Sequence, residues 1–294
     1  MEVDAARLEA HVAQLTRSVR PAESPALAAA RRYVARQFEE GGWRVERHAF
    51  SPTTEFGTKL RGENLVARHP AFRAGSDAWF CIGAHVDSLP DSPGADDNAS
   101  AVAALLEIAR LLPDVWPADA RVNVELVAFD LEENGMLGGA EHVRLMKSGD
   151  VDLRGMVSLE MLGYCSDEPN SQMLPRSLIG MYPDVGNFIA VIGNQNSRAL
   201  LERFSGGMRR AEGLPVETLA VPENGNLLQA TRLSDHSPFW DAGYPALMIT
   251  DTSFLRNPHY HMPSDTLDTL DLDFLRRVAQ GCLEGVREVA ARGL

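Results

Sequence analysis

The hydrophobic and polar positions of this chain follow two periods in turn, one typical of helices and one typical of strands. Where apolar residues recur at helical spacing, the pattern predicts an amphipathic helix. The first such segment has Ser24 before Pro25 at its start and Gly41 at its end, which are typical helix boundaries. The predicted helices are 24–41, 101–112, 139–147, 197–212 and 272–291. Asn98 or Ser100 is expected to cap the second of them.

Strand patterns lie between these helices. Some segments alternate apolar and polar residues, whereas 78–84 is continuously apolar, as expected of an interior strand covered on both faces. The predicted strands are 43–50, 63–68, 78–84, 122–129, 155–162, 188–192, 216–221 and 246–250. Strands interleaved with helices predict an α/β protein, a single-domain three-layer sandwich over residues 1–294 with a mixed, mostly parallel sheet. The irregular stretch 166–185 is predicted to be a surface loop that borders a cleft.

The composition narrows the class of protein. A net charge of −13, from 41 acidic and 28 basic residues, argues against a nucleic-acid partner. No apolar run approaches the roughly 18 residues of a membrane span, so no membrane association is expected. The first residues lack the features of a secretory signal, which predicts a cytoplasmic location, although a secreted protein whose signal had been removed would look the same. Three widely spaced cysteines predict buried free thiols rather than disulfides.

Chemically reactive side chains follow the ends of two predicted strands. His85 and Asp87 come after the strand 78–84, and Glu132 and Glu133 come after the strand 122–129. Ligands of α/β proteins bind beyond the carboxyl ends of strands, so these side chains are expected to share one site. A histidine together with several carboxylates is the ligand set of divalent metal ions. The sequence therefore predicts a metal-dependent hydrolase.

Six motifs follow one another along the chain. They are His85-Val86-Asp87-Ser88, Pro93-Gly94-Ala95-Asp96-Asp97-Asn98-Ala99-Ser100, Glu132-Glu133 with Gly138-Gly139-Ala140-Glu141, Glu160-Met161-Leu162-Gly163, Ser234-Asp235-His236, and Asn257-Pro258-His259-Tyr260-His261 with Asp265-Thr266. In this order they resemble peptidase family M28, which contains zinc aminopeptidases and related metallopeptidases. The resemblance runs from Asn64 to the end of the chain. It implies the zinc-exopeptidase, phosphorylase/hydrolase-like fold, two metal ions, usually zinc, and hydrolysis of a peptide or amino-acyl substrate, commonly at a free amino terminus.

The resemblance also implies a role for each motif residue. His85 and Glu160 would bind one metal ion, Glu133 and His261 the other, and Asp96 would bridge both. Many relatives have Asp where this chain has Glu160, which changes the reach of the carboxylate more than its chemistry. Glu132, next to a ligand, is implied to be the general base that takes a proton from the attacking water.

The physical chemistry of this ligand set agrees with a two-metal site. Two zinc ions carry four positive charges, and three carboxylates with one hydroxide would balance them in a cleft of low dielectric. Zinc suits such nitrogen and oxygen donors best, and manganese or cobalt can substitute. Asp87 lies on the same side of the extended chain as His85, so it is expected to orient that imidazole rather than bind metal. Asp97 is expected to hold the turn that aims Asp96, and Asp235 and His236 to supply hydrogen bonds beside the site.

Several alternatives stay open at this level. His259 can exchange roles with His261, and Arg256 can serve as the cationic clamp that a carboxypeptidase needs for its substrate carboxylate. A single-zinc glutaminyl cyclase on the same scaffold, another amide hydrolase and a non-catalytic binding module are further readings. The apolar residues that could line a substrate pocket or equally pack in the core are Met161, Leu162, Tyr164, Phe239 and Tyr244. The side-chain preference and the oligomeric state are not readable from the sequence.

Overall fold

The computed structural model describes residues 2–54, 56–72 and 77–294. Within them, eight strands form one mixed sheet in the order β1-β2-β4-β3-β5-β8-β6-β7. The strands are β1 Arg44–Phe50, β2 Gly62–Arg68, β3 Trp79–His85, β4 Asn123–Phe129, β5 Leu153–Glu160, β6 Ile189–Asn194, β7 Val216–Val221 and β8 Ala246–Thr250. Neighbours from β4 through β3 and β5 to β8 run parallel, as do β6 and β7, and the remaining pairs are antiparallel. The predicted mixed, mostly parallel sheet is confirmed.

Helices cover both faces of this sheet. They are α1 Ala5–Leu15, α2 Pro25–Glu40, α3 Ala101–Leu111, α4 Leu137–Ser148, α5 Arg198–Met208, α6 His236–Asp241 and α7 Leu272–Arg292. The apolar sides of α1, α2, α3, α5 and α7 form one buried cluster with one face of the sheet. The apolar residues of α4 and α6 form a second cluster with the other face. Alternate residues of each strand enter alternate clusters, which is the predicted three-layer α/β sandwich.

The elements predicted from the sequence are all present, and two helices were not predicted. One is α1, whose start is capped by the Asp4 carboxylate accepting the Ala6 N–H and whose apolar face contains Leu8 and Val12. The other is α6, which has only six residues and therefore shows no helical repeat in its sequence. The capping prediction for α3 was wrong, because Ser100 instead donates its hydroxyl to Asp96 and Asn98 bonds to the end of β5.

Other expectations from the composition can be compared with the structure. Cys81 and Cys282 are buried free thiols, as predicted, and the free thiol of Cys165 is half-buried. Among the described residues, no helix combines the length and the apolar character needed to cross a bilayer.

Candidate metal centre

The proposed site lies where three parallel strands end side by side. Since β4, β3 and β5 are neighbours, their carboxyl ends meet at one edge of the sheet. His85 is the last residue of β3, Glu132 and Glu133 follow β4, and Glu160 is the last residue of β5. Strand geometry therefore brings together side chains that are up to 75 residues apart in the sequence.

Two groups of three potential ligands meet at this edge, and they share Asp97. The first group is His85, Asp97 and Glu160, with His85 Nε2 3.3 Å from Asp97 Oδ1 and 3.5 Å from Glu160 Oε1. The second group is Asp97, Glu133 and His261, with His261 Nε2 3.2 Å from Asp97 Oδ2 and 3.5 Å from Glu133 Oε2. The two oxygens of one carboxylate thus face two imidazoles, which is the arrangement that a pair of bridged cations requires.

The shared carboxylate belongs to Asp97, and the assignment of this position to Asp96 from the sequence was wrong. The Asp96 carboxylate faces away from both histidines, because its Oδ1 accepts the Gly163 N–H at 2.8 Å and its Oδ2 accepts the Asn257 amide at 2.7 Å. Ser100 adds a further bond to the same carboxylate at 3.1 Å. Asp96 therefore stabilises the turn, and the carboxylate that faces the two histidines belongs to Asp97. This is the reverse of the predicted roles.

The turn that presents Asp97 is a short π-helical segment, Ala95–Ser100, and it is fixed from several sides. The Asp265 carboxylate accepts both the Asp96 and the Asp97 N–H groups, at 2.8 and 3.1 Å. Asn98 donates to the Leu159 carbonyl and accepts the Met161 N–H, which joins the turn to the end of β5. The backbone therefore has little freedom to rotate the Asp97 carboxylate out of the site.

Gly94 and Arg20 hold the loop that leads into this turn. Gly94 has a φ of +64°, and a Cβ there would lie 2.2 Å from the Asp97 carbonyl oxygen, so only glycine fits. The buried guanidinium of Arg20 donates to four backbone carbonyls, those of Leu15, Val86, Pro93 and Gly94. Burial lowers the pKa of Arg20 to about 10, which leaves it charged at neutral pH. One cation thus ties the loop after His85 to the loop before Asp97.

Asp87 connects two of the motif loops. Its carboxylate oxygens accept the backbone N–H groups of Glu132 and Glu133, at 3.2 and 3.1 Å. The Asp87 carboxylate also lies 3.4 Å from His85 Nδ1, and the Asp87 carbonyl lies 3.2 Å from the same nitrogen. The geometry accords with the predicted orienting role, and it adds a second role, since Asp87 also positions the loop that carries both glutamates.

The charges at this edge favour a bound cation. Burial would lower the pKa of His85, but the carboxylates of Glu160 and Glu132 outweigh it and raise that pKa well above its usual value. Burial, followed by repulsion from Asp97, raises the pKa of Glu133 to about 9. Burial also raises the pKa values of Glu132 and Glu160. A cluster of carboxyl groups that resists ionisation in this way is stabilised by positive charge placed among them.

A second observation, the environment of His85 Nε2, also indicates that these side chains can hold divalent metal ions. The Nε2 atom of His85 is buried and has no hydrogen-bond partner among the described residues, although it is directed at the carboxylates of Asp97 and Glu160. A buried polar nitrogen without a partner is costly unless a ligand satisfies it. Imidazole and carboxylate donors in two groups of three suit zinc, the metal that the resemblance to family M28 implies. A metal ion bound here would account for the otherwise unpaired nitrogen.

Glu132 lies beside both ligand groups without belonging to either. Its Oε2 is 3.8 Å from His85 Nε2, and its side chain keeps 14% exposure. Burial, with like charge from Glu160, raises the pKa of Glu132 well above its usual value. A carboxylate of raised pKa that water can reach is suited to accepting and returning a proton.

Three other histidines take structural positions. His236 Nε2 is 2.8 Å from the Thr231 carbonyl, its ring packs edge-on against Trp240, and burial lowers its pKa to about 4. His142 forms a buried pair with Glu125 at 2.8 Å. His259 faces Ser264 at 2.9 Å, so it does not replace His261.

Arg256 and Asp235 are both buried. The Arg256 guanidinium donates to the Gln172 side chain and to the Phe188 carbonyl, and it stacks on the Phe188 ring at 4.6 Å. It is therefore not a surface arginine, and it is not among the described residues that line the cleft beside the ligand groups. Asp235 accepts the Gly139 N–H and contacts no metal ligand through a hydrogen bond among the described residues.

A cleft that is open to solvent adjoins the ligand groups at Glu160 and Tyr260. The predicted loop contributes Gln172, Leu174 and Tyr182 to its wall, as expected. The five apolar residues suggested from the sequence do not line it: Met161, Leu162 and Phe239 are fully buried, and Tyr164 and Tyr244 also lie elsewhere. The lining comes from β6, β7, β8 and two short helical turns, 229–232 and 253–255, whose side-chain directions the sequence pattern does not reveal.

Comparison with known proteins identifies the family. The model of peptidase family M28 matches residues 64–286. The chain belongs to peptidase family M28. It is 34% identical to the uncharacterized protein YfbL of Escherichia coli (strain K12), over 94% of this chain and 86% of that protein. It is 27% identical to aminopeptidase YwaD of Bacillus subtilis (strain 168), over 72% of this chain but only 41% of that relative.

Solved structures of the same fold extend the comparison. An aminopeptidase from Aneurinibacillus sp. strain AM-1 superposes with a TM-score of 0.74 at 18% identity, covering 99% of this M28 chain and 95% of that chain. A glutaminyl cyclase from Bacteroides thetaiotaomicron superposes with a TM-score of 0.73 at 19% identity, covering 98% of both chains. These likenesses show the fold. The predicted family and enzyme class, a metal-dependent peptidase, are confirmed.

Proposed function

We propose that this M28 peptidase is an aminopeptidase that holds two divalent cations. Zinc is the proposed metal, and manganese or cobalt can replace it. His85, Asp97 and Glu160 would hold one ion, and Asp97, Glu133 and His261 the other. The observation that carries the proposal is the sharing of Asp97 between two imidazoles, 3.3 and 3.2 Å from its two oxygens. When bound, two such ions polarise a substrate carbonyl and make a water molecule more acidic.

Glu132 would accept the proton of the attacking water and deliver it to the leaving amine. Its position next to both ligand groups, its remaining exposure and its raised pKa support this role. Asp87 would keep Glu132 in place through its bond to the Glu132 N–H. Such proton transfer contributes about 10²- to 10⁴-fold to the rate of comparable reactions.

The charge of the cleft favours a substrate with a free amino terminus. Among the described residues that line it, the charged side chains are Glu160 and Glu217, and none is a lysine or arginine. A carboxypeptidase would need a cation to bind the substrate carboxylate, and Arg256 is committed to the Phe188 carbonyl and to Gln172. An ammonium group, by contrast, is attracted by carboxylates. Peptides and amino-acyl amides are therefore the proposed substrates.

A substrate screen with metal analysis tests this proposal. The zinc-loaded protein should contain about two ions per chain and cleave amino-acyl amides and peptides with a free amino terminus, but not peptides blocked there. An N-terminal glutaminyl peptide distinguishes the glutaminyl cyclase alternative, because a cyclase releases ammonia from it whereas an aminopeptidase releases glutamine. The proposal would be refuted if the protein, with both ions bound, released no N-terminal residue from any unblocked peptide.

A variant of the proposed base tests the mechanism separately. Glu132→Gln should keep both metal ions and lose at least about 100-fold in kcat. Glu39→Gln, which changes an exposed glutamate on α2, is the control for the same loss of charge. Full turnover of the Glu132 variant would show that another group moves the proton.

We further propose a cytoplasmic location, because three unpaired thiols suit a reducing compartment. Cell fractionation with an antibody against the chain tests it, and recovery from the medium would contradict it.

A further inference from the structure

One row of paired residues crosses the sheet from the metal centre to the far edge strand. Glu160 of β5 pairs with Thr250 of β8, Thr250 pairs with Ala190 of β6, and Ala190 pairs with Glu217 of β7. Directly paired residues point to the same face, and all four line the cleft. Three strand spacings of about 4.8 Å place the Cα atoms of Glu160 and Glu217 about 14 Å apart.

The surface between these two carboxylates is apolar and partly hollow. Ala190 has a small side chain, so the floor is low at the middle of the row. The next row on the same face consists of Met248, Ile192 and Leu219. Leucines and Tyr182 from the loop 166–185 form part of the wall. The result is a trough with an apolar middle and one carboxylate at each end.

Glu217 lies in this trough and its residue is half-buried. Its carboxylate forms no hydrogen bond or ion pair with any residue that the structure describes. The nearby hydroxyl of Tyr182 donates to the Thr218 carbonyl instead. A cationic group that reached this carboxylate would form a charge-assisted hydrogen bond with it.

We propose that this trough binds the side chain of the substrate's N-terminal residue and that Glu217 selects lysine or arginine there. This inference rests on the proposed aminopeptidase function. The substrate's α-amino group and scissile carbonyl lie at the Glu160 end, and the cationic tip of its side chain meets Glu217. The apolar middle receives the methylene stem, in the manner in which long basic side chains cover apolar surface.

The length of the trough agrees with this class of side chain. Five extended bonds from Cα to Nζ of lysine span about 6 Å, because three extended bonds span about 3.6 Å. The Cα–N bond of about 1.5 Å and a hydrogen bond of about 3 Å at each carboxylate bring the total close to the length of the row. A leucine side chain is shorter and would leave the Glu217 end of the trough empty.

The test compares substrates that differ only in the terminal charge. Lysyl and norleucyl p-nitroanilides share the same stem, and arginyl and citrullinyl p-nitroanilides share nearly the same shape. The zinc-loaded wild-type enzyme should have a kcat/KM about 10- to 100-fold higher for each charged member, the value of one hydrogen bond to a charged group. Calorimetric binding of free L-lysine and L-norleucine to the same protein gives a second measurement that needs no turnover.

Two variants assign the preference to Glu217. Glu217→Gln should bring the ratio of kcat/KM for the lysyl and norleucyl substrates close to one, mainly by lowering kcat/KM for the lysyl substrate. Glu217→Leu should make kcat/KM higher for the norleucyl substrate. Glu202→Gln removes the same charge from the exposed side of α5 and should keep the wild-type ratio. Thermal unfolding of each variant checks that the fold is retained.

The outcomes separate this inference from the proposed function. A wild-type ratio near one, in kcat/KM and in binding, overturns the role of Glu217, and so does a ratio that Glu217→Gln leaves unchanged. If no amino-acyl amide is cleaved, the aminopeptidase function fails, and the binding ratio of the two free amino acids alone decides whether Glu217 selects a cation.

Discussion

Replacement of Asp235 by asparagine should change how the stability of the metal-free protein depends on pH. Asp235 Oδ1 accepts the Gly139 N–H at 3.1 Å, whereas its Oδ2 is buried and has no hydrogen-bond partner in the part of the chain that the structure describes. Burial raises the pKa of this carboxyl from 3.8 to about 8, and repulsion from Asp87 and Glu160 adds to the effect, against attraction by His85. The folded protein therefore holds a proton at Asp235 that the unfolded chain releases.

The sign and size of the effect follow from these two pKa values. Between pH 3.8 and about 8, the folded state binds up to one more proton at this group than the unfolded state. The stabilising contribution is complete below the lower value and is lost as the pH rises, at about 1.4 kcal/mol per pH unit. From pH 5.5 to 7.5 the loss is about 2.7 kcal/mol, by the same constant. An asparagine does not titrate, so Asp235→Asn should be spared this loss.

Urea denaturation of chelator-treated protein at pH 5.5, 6.5 and 7.5 measures the difference. The free energy of unfolding of Asp235→Asn, relative to wild type, should rise by about 2.7 kcal/mol over this range. Asp119→Asn, which removes one exposed carboxyl group, controls for the change in net charge. In the zinc-loaded protein the difference should shrink, because cations beside His85 favour the ionised Asp235. A constant difference between variant and wild type across the three pH values would refute the reasoning.

Three further outcomes are expected. Gly207→Ala should lower the free energy of unfolding by about 1–3 kcal/mol, since its Cβ would lie 2.7 Å from the Glu284 carbonyl oxygen of α7. Gly206→Ala has no atom within 4 Å and should be neutral or stabilising by up to about 1 kcal/mol, so equal urea midpoints for the two variants would count against this packing. The gain in Tm on adding zinc should be larger at pH 8 than at pH 6. Because the pKa of Glu133 is raised to about 9, the contribution of this group to the stability of the metal-free protein is lost as the pH rises. An equal gain at the two pH values would contradict this. Ser24→Ala should cost about 1 kcal/mol in denaturation followed by circular dichroism, since the Ser24 hydroxyl oxygen accepts the Leu27 N–H at the start of α2, and an unchanged midpoint would mean that the cap is unimportant.

The sequence predicted the parts of the site that depend on strand ends. His85 and Glu160 lie at the ends of apolar strands and Glu133 lies just after one, and neighbouring parallel strands in a sheet bring these ends together. Asp96 and Asp97 could not be separated in this way, because they are the same residue type at adjacent positions. The Asp96 carboxylate is turned away from the histidines by its bonds to Gly163 and to Asn257, which is 161 residues further along the chain. A local pattern contains no information about such a contact.

The substrate cleft was the other part that the sequence did not resolve. The loop 166–185 was expected to border it, but its Leu174 and Tyr182 could not be distinguished from ordinary surface residues. The apolar residues near the motifs were the natural candidates, and Met161 proved to be fully buried. Loops and short turns have no repeat that indicates direction, so side chains on them are located by tertiary contacts alone.

The hydrogen bonds of the Arg20 guanidinium limit where the chain can be truncated. The region matched by the family begins at residue 64, yet Arg20, 44 positions earlier, bonds to the carbonyls of Val86, Pro93 and Gly94. A truncated protein that began at residue 64 would lose these bonds and leave three carbonyls without their donor beside the turn that carries Asp97. Expression of the family segment alone should therefore yield a chain with a disordered entrance to the π-helical turn, and the first 63 residues should be kept in any shortened version intended to bind metal.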